Sequence, residues 1–321
     1  TTLRQSPLCE MVTMPNYRQM GPLAIVRPDA ARPAASPAGG ELSAGAPRTL
    51  FETNASASFQ GLHSYQDIQL AFADVNADGR LDIAATAADH DGRRGLSLLL
   101  CKADGTFADA SAASGLNVVA NPVSCTFGDY DNDGQIDLFV ACAGPNFLFR
   151  GRGDGTFEDV TKATRTAGPN AVSGSAVFLD ADHDGDLDIY VCNHVVVAES
   201  ARAPNQLLNN NSDGTFTDIA VAAGVASSGK PSRMAVPADL DGDRDTDLIV
   251  FHSGSAASVF FNDRQGKYHE EHIAESPIEG DHGGVAQDFN GDGLVDLLVL
   301  PGPGGNGWLY LSQSAGGSAD K

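Results

Sequence analysis

Aspartate and asparagine recur in this 321-residue chain at a spacing that suits a hard, oxygen-seeking cation. Five nine-residue loops carry an oxygen side chain at their first, third, fifth and ninth positions. These residues are Asp74, Asn76, Asp78 and Asp82; Asp129, Asp131, Asp133 and Asp137; Asp180, Asp182, Asp184 and Asp188; Asp239, Asp241, Asp243 and Asp247; and Asp288, Asn290, Asp292 and Asp296. When such a loop curls, the oxygens converge on one point. The carbonyl of the seventh residue (Arg80, Gln135, Asp186, Asp245 or Leu294) can add another. Glycine at the sixth position (Gly79, Gly134, Gly185, Gly293) permits the sharp turn. The fourth loop departs, with Arg244 at that place and Gly242 two positions earlier. A side chain at positive φ is unfavourable, so this loop is expected either to bend differently or to hold its ion more weakly. A single acidic turn is an ordinary surface feature, whereas five in register read as up to five Ca²⁺ sites.

The elements that position these loops follow from the spacing. Successive first aspartates lie 55, 51, 59 and 49 residues apart, a period of propeller blades. An EF-hand would need an acid at the twelfth position, where this chain has Ala85, Val140, Val191, Val250 and Val299. Each loop is followed by an apolar, β-prone run such as Leu138–Val140 or Leu248–Phe251, and preceded by another such as Ser124–Phe127 or Ser175–Phe178. Each loop therefore joins two antiparallel strands. A second landmark, Asp-Gly-Thr-Phe, recurs at Asp104, Asp154 and Asp213, with a decayed copy from Asp263 to Tyr268. It is a tight turn opening a further strand, and runs such as Phe147–Phe149 and Val259–Phe261 stand before it. The expected fold is all-β: a β-propeller of four-stranded blades, five-bladed, with calcium between the first and second strands of each blade. Thr49–Glu52 reads as an orphan fourth strand that would complete the fifth blade and close the ring, removing exposed sheet edges. The boundaries that result are residues 1–48 as an arm and Pro/Ala/Gly-rich tether, 49–312 as the propeller, and 313–321 as a tail.

These residues resemble the FG-GAP/VCBS repeat family, whose best-known members are the propellers of integrin α subunits. The run Asp154 to Thr161, Asp-Gly-Thr-Phe-Glu-Asp-Val-Thr, is similar to secreted bacterial VCBS proteins, and Phe127-Gly128 matches the namesake dipeptide. The other blades have Phe-Ala, Phe-Leu, Pro-Ala or Ala-Gln there. The resemblance covers roughly residues 50–312. It implies calcium at positions 1, 3, 5, 7 and 9 of each loop and extracellular adhesion, lectin or scaffold roles, but no single reaction. Integrin propellers have seven blades with calcium in a subset, so their ligand surface is not carried over.

Composition agrees with a secreted, calcium-rich chain. The formal charge is −22, and the loops supply eighteen carboxylates at positions 1, 3, 5 and 9. Without cations these clusters repel, so ion binding and folding are expected to be linked. A basic face for nucleic acid is not visible, and neither is a membrane-spanning run or a leader peptide. Cys125 and Cys142 flank the second loop almost symmetrically, which suits either a cross-strand disulfide or two free thiols, within a set of five cysteines. Asn54-Ala-Ser56 and Asn210-Asn-Ser212 are glycosylation sequons.

Hydrolase signatures such as Gly-x-Ser-x-Gly and His-Glu-x-x-His are missing. His269 and His272 would face opposite sides of a strand. His90, His194 and His252 follow second strands and read either as loop residues or as a rim that meets a sugar or peptide. The expected function is non-enzymatic: an extracellular structural or adhesion module. Apolar segments Leu8–Met14 and Leu23–Val26 could add a strand to a neighbouring copy and build filaments, with Cys9 locking the joint. A glycan-binding lectin is the alternative, and a secreted polysaccharide-active enzyme the third reading. Surface proteins and glycans are the other expected partners.

Overall fold

The computed structural model describes residues 66–89, 91–196, 203–271, 283–300 and 308–312. Thr49–Glu52, Asn54, Cys9, His90, His272 and the whole arm of residues 1–48 lie outside the described residues. The described strands form successive antiparallel meanders. The first contains β1 (Gln66–Ala73), β2 (Asp82–Ala88), β3 (Arg94–Cys101) and β4 (Phe107–Asp109). The second contains β5 (Pro122–Gly128), β6 (Asp137–Gly144), β7 (Phe147–Gly151) and β8 (Phe157–Asp159). The third contains β9 (Ala171–Leu179), β10 (Asp188–Val196), β11 (Gln206–Asn210) and β12 (Phe216–Asp218). The fourth contains β13 (Ser232–Ala238), β14 (Asp247–His252), β15 (Ser255–Asn262) and β16 (Tyr268–Glu271). The fifth contributes β17 (Gly284–Gln287), β18 (Asp296–Val299) and β19 (Trp308–Tyr310). Beyond its main pairing, β6 also pairs with β9 through Ala143–Val172 and Gly144–Ala171, which joins the second and third sheets.

The first strand of each sheet touches the first strand of the next, from β1 through β5, β9 and β13 to β17. The sheets are thus arrayed face to face around their first strands in a propeller-like arrangement. This explains why the second strands are buried almost without interruption. Ile189 and Val191 of β10 point into the core shared with the second sheet, beside Phe139 and Leu148. Tyr190 and Cys192, on the opposite face, point into the core shared with the fourth sheet, beside Leu248 and Phe260. Strand alternation delivers side chains to both faces, and both faces are covered. Comparable cores lie between the first and second sheets, around Leu98, Leu138 and Phe149, and between the fourth and fifth, around Phe251 and Leu297. Each fully buried Leu or Phe contributes roughly 1.5–3 kcal/mol.

The Asp-Gly-Thr landmarks open the fourth strands as expected. Asp104, Asp154 and Asp213 each accept the N–H of the threonine two residues on, at 2.9, 2.9 and 3.0 Å, and its hydroxyl as well.

The disulfide reading is corrected: Cys125 and Cys142 are free thiols. Cys125 faces Val140 across the ladder, and Cys142 faces Pro122 beyond a bulge, so the two cysteines are diagonal neighbours. Diagonal Cβ atoms stand roughly 7–8 Å apart, too far for an S–S bond, which needs about 3.5–4.5 Å. Both pack into the core between the first two sheets.

Candidate metal centres

Each acidic loop bridges the first and second strands of its sheet, and its shape is set by its own carboxylates accepting backbone N–H groups. The first aspartate binds the turn. Asp74 accepts from Asp78 and Gly79 at 3.0 and 2.7 Å, Asp129 from Asp133 and Gly134 at 3.1 and 3.0 Å, and Asp180 from Asp184 and Gly185 at 3.2 and 3.1 Å. Asp288 accepts from Asp292 and Gly293 at 3.2 and 2.8 Å. The third-position oxygen also accepts the fifth-position N–H, from 2.8 Å at Asn290 to 3.3 Å at Asp131 and Asp182. The fifth-position carboxylate in turn accepts the seventh-position N–H at 2.8–3.0 Å in all five loops.

The fourth loop does not bend differently. Arg244 adopts φ +77°, in the region occupied by Gly79, Gly134, Gly185 and Gly293, and its N–H donates to Asp239 at 3.2 Å. Gly242 is at the fourth position, where Ala77, Asn132, His183 and Gly291 are also left-handed. The loop shape is kept at a cost of about 1–2 kcal/mol for a side chain in that conformation.

The ninth aspartate has a different task. It is buried in every loop, and one of its oxygens accepts the N–H of the loop's second residue: Val75, Tyr130, Ala181, Leu240 or Phe289. The other oxygen accepts an N–H at the end of the third strand, from Cys101, Gly151, Asn210, Asn262 or Ser312, at 2.7–2.9 Å. Asp82, Asp137, Asp188, Asp247 and Asp296 thus tie each loop to its sheet.

Three loops bring first-, third- and ninth-position carboxylates together. Asp129, Asp131 and Asp137 form one cluster, Asp180, Asp182 and Asp188 a second, and Asp239, Asp241 and Asp247 a third, each with ligand oxygens within 4.8 Å of one another. The fifth-position residues Asp133, Asp184 and Asp243 are not in these clusters. In the first and fifth loops the third position is an amide, Asn76 or Asn290, and neither loop forms a three-carboxylate cluster among the described residues. Burial pushes the Asp137 and Asp188 carboxyls up to about 8 and Asp247 up to about 6, against the lowering effect of their backbone donors, and neighbouring carboxylates push the same way. Burial likewise raises Asp129, Asp131, Asp180, Asp182 and Asp241. A divalent cation would reverse these shifts by favouring the ionised forms. An all-oxygen donor set of this kind fits Ca²⁺.

Sequence reasoning missed the contacts between loops. The Asn210 side-chain amide donates to the Tyr130 carbonyl of the preceding loop at 2.8 Å and to Leu187 of its own loop at 3.3 Å. Asn262 repeats this with Ala181 at 3.0 Å and Thr246 at 3.1 Å. Because the Asn210 and Asn262 N–H groups hold Asp188 and Asp247, a continuous chain of hydrogen bonds runs through the three carboxylate clusters. The available signal was an apolar third strand ending in Asn in two repeats.

The seventh-position acids add a second tie. Asp186 accepts from Asn132 of the preceding loop at 2.7 Å and from the Ser212 hydroxyl. Buried Asp245 meets His183 of the preceding loop at 3.2 Å and the Arg264 guanidinium.

Two further expectations are corrected. Asn210 is 5% exposed with its amide engaged as above, so its sequon presents no acceptor to a glycosylating enzyme. His252 is fully buried, its ring nitrogens 3.0 Å from the Ser232 and Ser258 hydroxyls, which removes it from any ligand-binding rim. His194 is half-buried on β10. His269 lies against Asp263 at 2.8 Å and Glu271 at 3.3 Å and stacks on Phe261, an exposed polar arrangement.

Comparison with known proteins gives consistent matches. The family model described as FG-GAP-like repeat matches residues 74–140, 129–191, 194–250 and 239–299. Human cartilage acidic protein 1 is 27% identical over 256 residues, covering 75% of this chain and 36% of that protein. The chain thus spans about a third of the length of that curated relative. Among solved structures, an Agrocybe aegerita lectin that recognises non-reducing terminal N-acetylglucosamine aligns with a TM-score of 0.45 and 20% identity, over 72% of this chain and 60% of that one. The six-bladed β-propeller lectin of Aleuria aurantia aligns with a TM-score of 0.43 and 11% identity, over 74% of this chain and 72% of that one.

Proposed function

Since this chain belongs to the FG-GAP-like repeat family, we propose that it is an extracellular, calcium-stabilised β-propeller acting as a structural or adhesion module rather than as a catalyst. The observation that carries this reading is the set of three aspartate clusters, each with its ninth-position carboxyl buried and pushed upward. Several mutually repelling, partly buried carboxylates per loop favour a divalent cation as their counter-charge.

The ring has five blades in this reading. Ile68, Leu70 and Phe72 are exposed along one face of β1, and Val285 and Leu309 on one face of the fifth sheet. Apolar faces at the two ends of the described array, and a fifth sheet of three described strands, are what closure would cover, with Thr49–Glu52 supplying a strand beside β19. Residues 1–48 would then reach from the ring to a neighbouring copy, and glycans or surface proteins would be the other partners.

Thermal unfolding in millimolar calcium and in excess chelator tests the central claim. A melting temperature that drops on chelation supports it, and one that is unchanged overturns it. Electron microscopy of the full chain beside a version lacking residues 1–48 tests the arm: filaments from the full chain alone support assembly, and single rings from both refute it.

A further inference from the structure

The five loops differ in one respect that the repeat pattern conceals. We propose that the first loop carries its own cation, the Arg80 guanidinium, and therefore takes calcium far more weakly than the second and third loops. This rests on the calcium reading above and deepens it.

Arg80 is the seventh residue of its loop, where the others have Gln135, Asp186, Asp245 and Leu294. Its guanidinium forms an ion pair with the Asp78 carboxylate, the fifth-position ligand of the same loop. The guanidinium is fixed a second time, because Nε donates to the Cys101 carbonyl at 2.9 Å. Cys101 is the residue whose own N–H holds the buried Asp82 at 2.7 Å, so the arginine spans from the fifth-position ligand to the anchor of the ninth. A planar fork held at two points loses little further freedom and is a strong local counter-charge.

The rest of the loop is arranged to match. Asn76 replaces the third-position carboxylate, and no three-carboxylate cluster forms there among the described residues. With Asp78 engaged, two carboxylates, Asp74 and Asp82, remain for a metal, against the three gathered in each of the second and third loops. Another arginine close to a loop, Arg264, behaves differently. Arg264 binds Asp245, a seventh-position acid outside the cluster, and the Asp243 carbonyl at 3.2 Å, which leaves Asp239, Asp241 and Asp247 together. Displacing a charge-assisted contact such as Arg80–Asp78 should weaken calcium at the first loop by about tenfold to a hundredfold.

Hydrogen exchange read by mass spectrometry on peptides covering each loop, across a calcium titration of the full chain, tests this directly. Exchange in residues 129–137 and 180–188 should slow as calcium rises, whereas residues 74–82 should respond only at concentrations at least tenfold higher. Arg80→Gln should bring the response of residues 74–82 down toward that of the second loop. Equal midpoints for the first and second loops in the unaltered chain would overturn the inference. So would an Arg80→Gln chain whose first loop still lags while its second and third respond. Loops two and three that ignore calcium altogether would overturn the calcium reading itself, and this inference with it.

Discussion

Replacing Asp188 by asparagine separates the two tasks of a ninth-position aspartate, because the two have opposite signs in the presence and absence of calcium. Asp188 is 1% exposed and accepts the N–H groups of Asn210 at 2.7 Å and Ala181 at 2.9 Å. Without a cation, burial raises its carboxyl from 3.8 to about 8. A raised folded-state value means that stability is complete below about pH 4 and is lost as pH rises through about 8. Linkage puts the loss at pH 7 at up to about 4 kcal/mol. The Asp188→Asn variant escapes this loss, but the new amide turns a donor toward one of the two N–H groups, which costs about 1–3 kcal/mol. In chelator, the variant should therefore be as stable as the unaltered chain or more so, by roughly 1–3 kcal/mol. With about 2–4 °C per kcal/mol for a chain of this size, differential scanning calorimetry resolves the change. In calcium at ten times the dissociation constant, the unaltered chain gains about 1.4 kcal/mol from that site, and the variant should not. The calcium-dependent part of the melting temperature should shrink by one site's contribution. An equal loss of stability in calcium and in chelator would refute the reasoning, because Asp188 would then be a hydrogen-bond acceptor and nothing more.

His252 offers a test away from the loops. Burial, with the Lys230 ammonium adding to it, lowers its imidazole to about 4, so the fold holds it neutral. Its contribution is intact above about pH 6.5 and is lost as pH falls toward 4, by up to about 3 kcal/mol; melting temperatures in calcium across that range should slope less for His252→Gln. Asn262→Ala should cost about 1–3 kcal/mol in urea unfolding by leaving the Ala181 and Thr246 carbonyls without their side-chain donor. Asn211→Ala, at an exposed position, should change stability by less than about 0.5 kcal/mol.

Much of the fold was legible because it is written in short-range patterns. Asp-x-Asp-x-Asp-Gly loops, Asp-Gly-Thr-Phe turns and the apolar runs between them each act over fewer than about ten residues, where backbone conformation and side-chain chemistry decide the outcome locally. Local reasoning failed where two repeats meet. Cys125 and Cys142 looked symmetric about a hairpin, but the ladder that starts at Gly128–Asp137 sets Cys125 opposite Val140, two residues short of Cys142. Asn210 looked like an exposed sequon, but its amide is spent on a carbonyl 80 residues earlier. His252 looked like a loop residue, and it lies between two serines, one of them 20 residues away.

The sequence by itself determined the repeat, the loop chemistry and the four-strand unit, since the same residues recur at the same spacing and each loop supplies its own ligands. Tertiary structure alone decided how one loop is tied to the next, that Asn210 and His252 are buried, and which residues Cys125 and Cys142 face. Those outcomes depend on the distance between side chains on different strands and sheets. Spacing along a chain does not encode that distance, because burial, register and the packing of one sheet on another set it together.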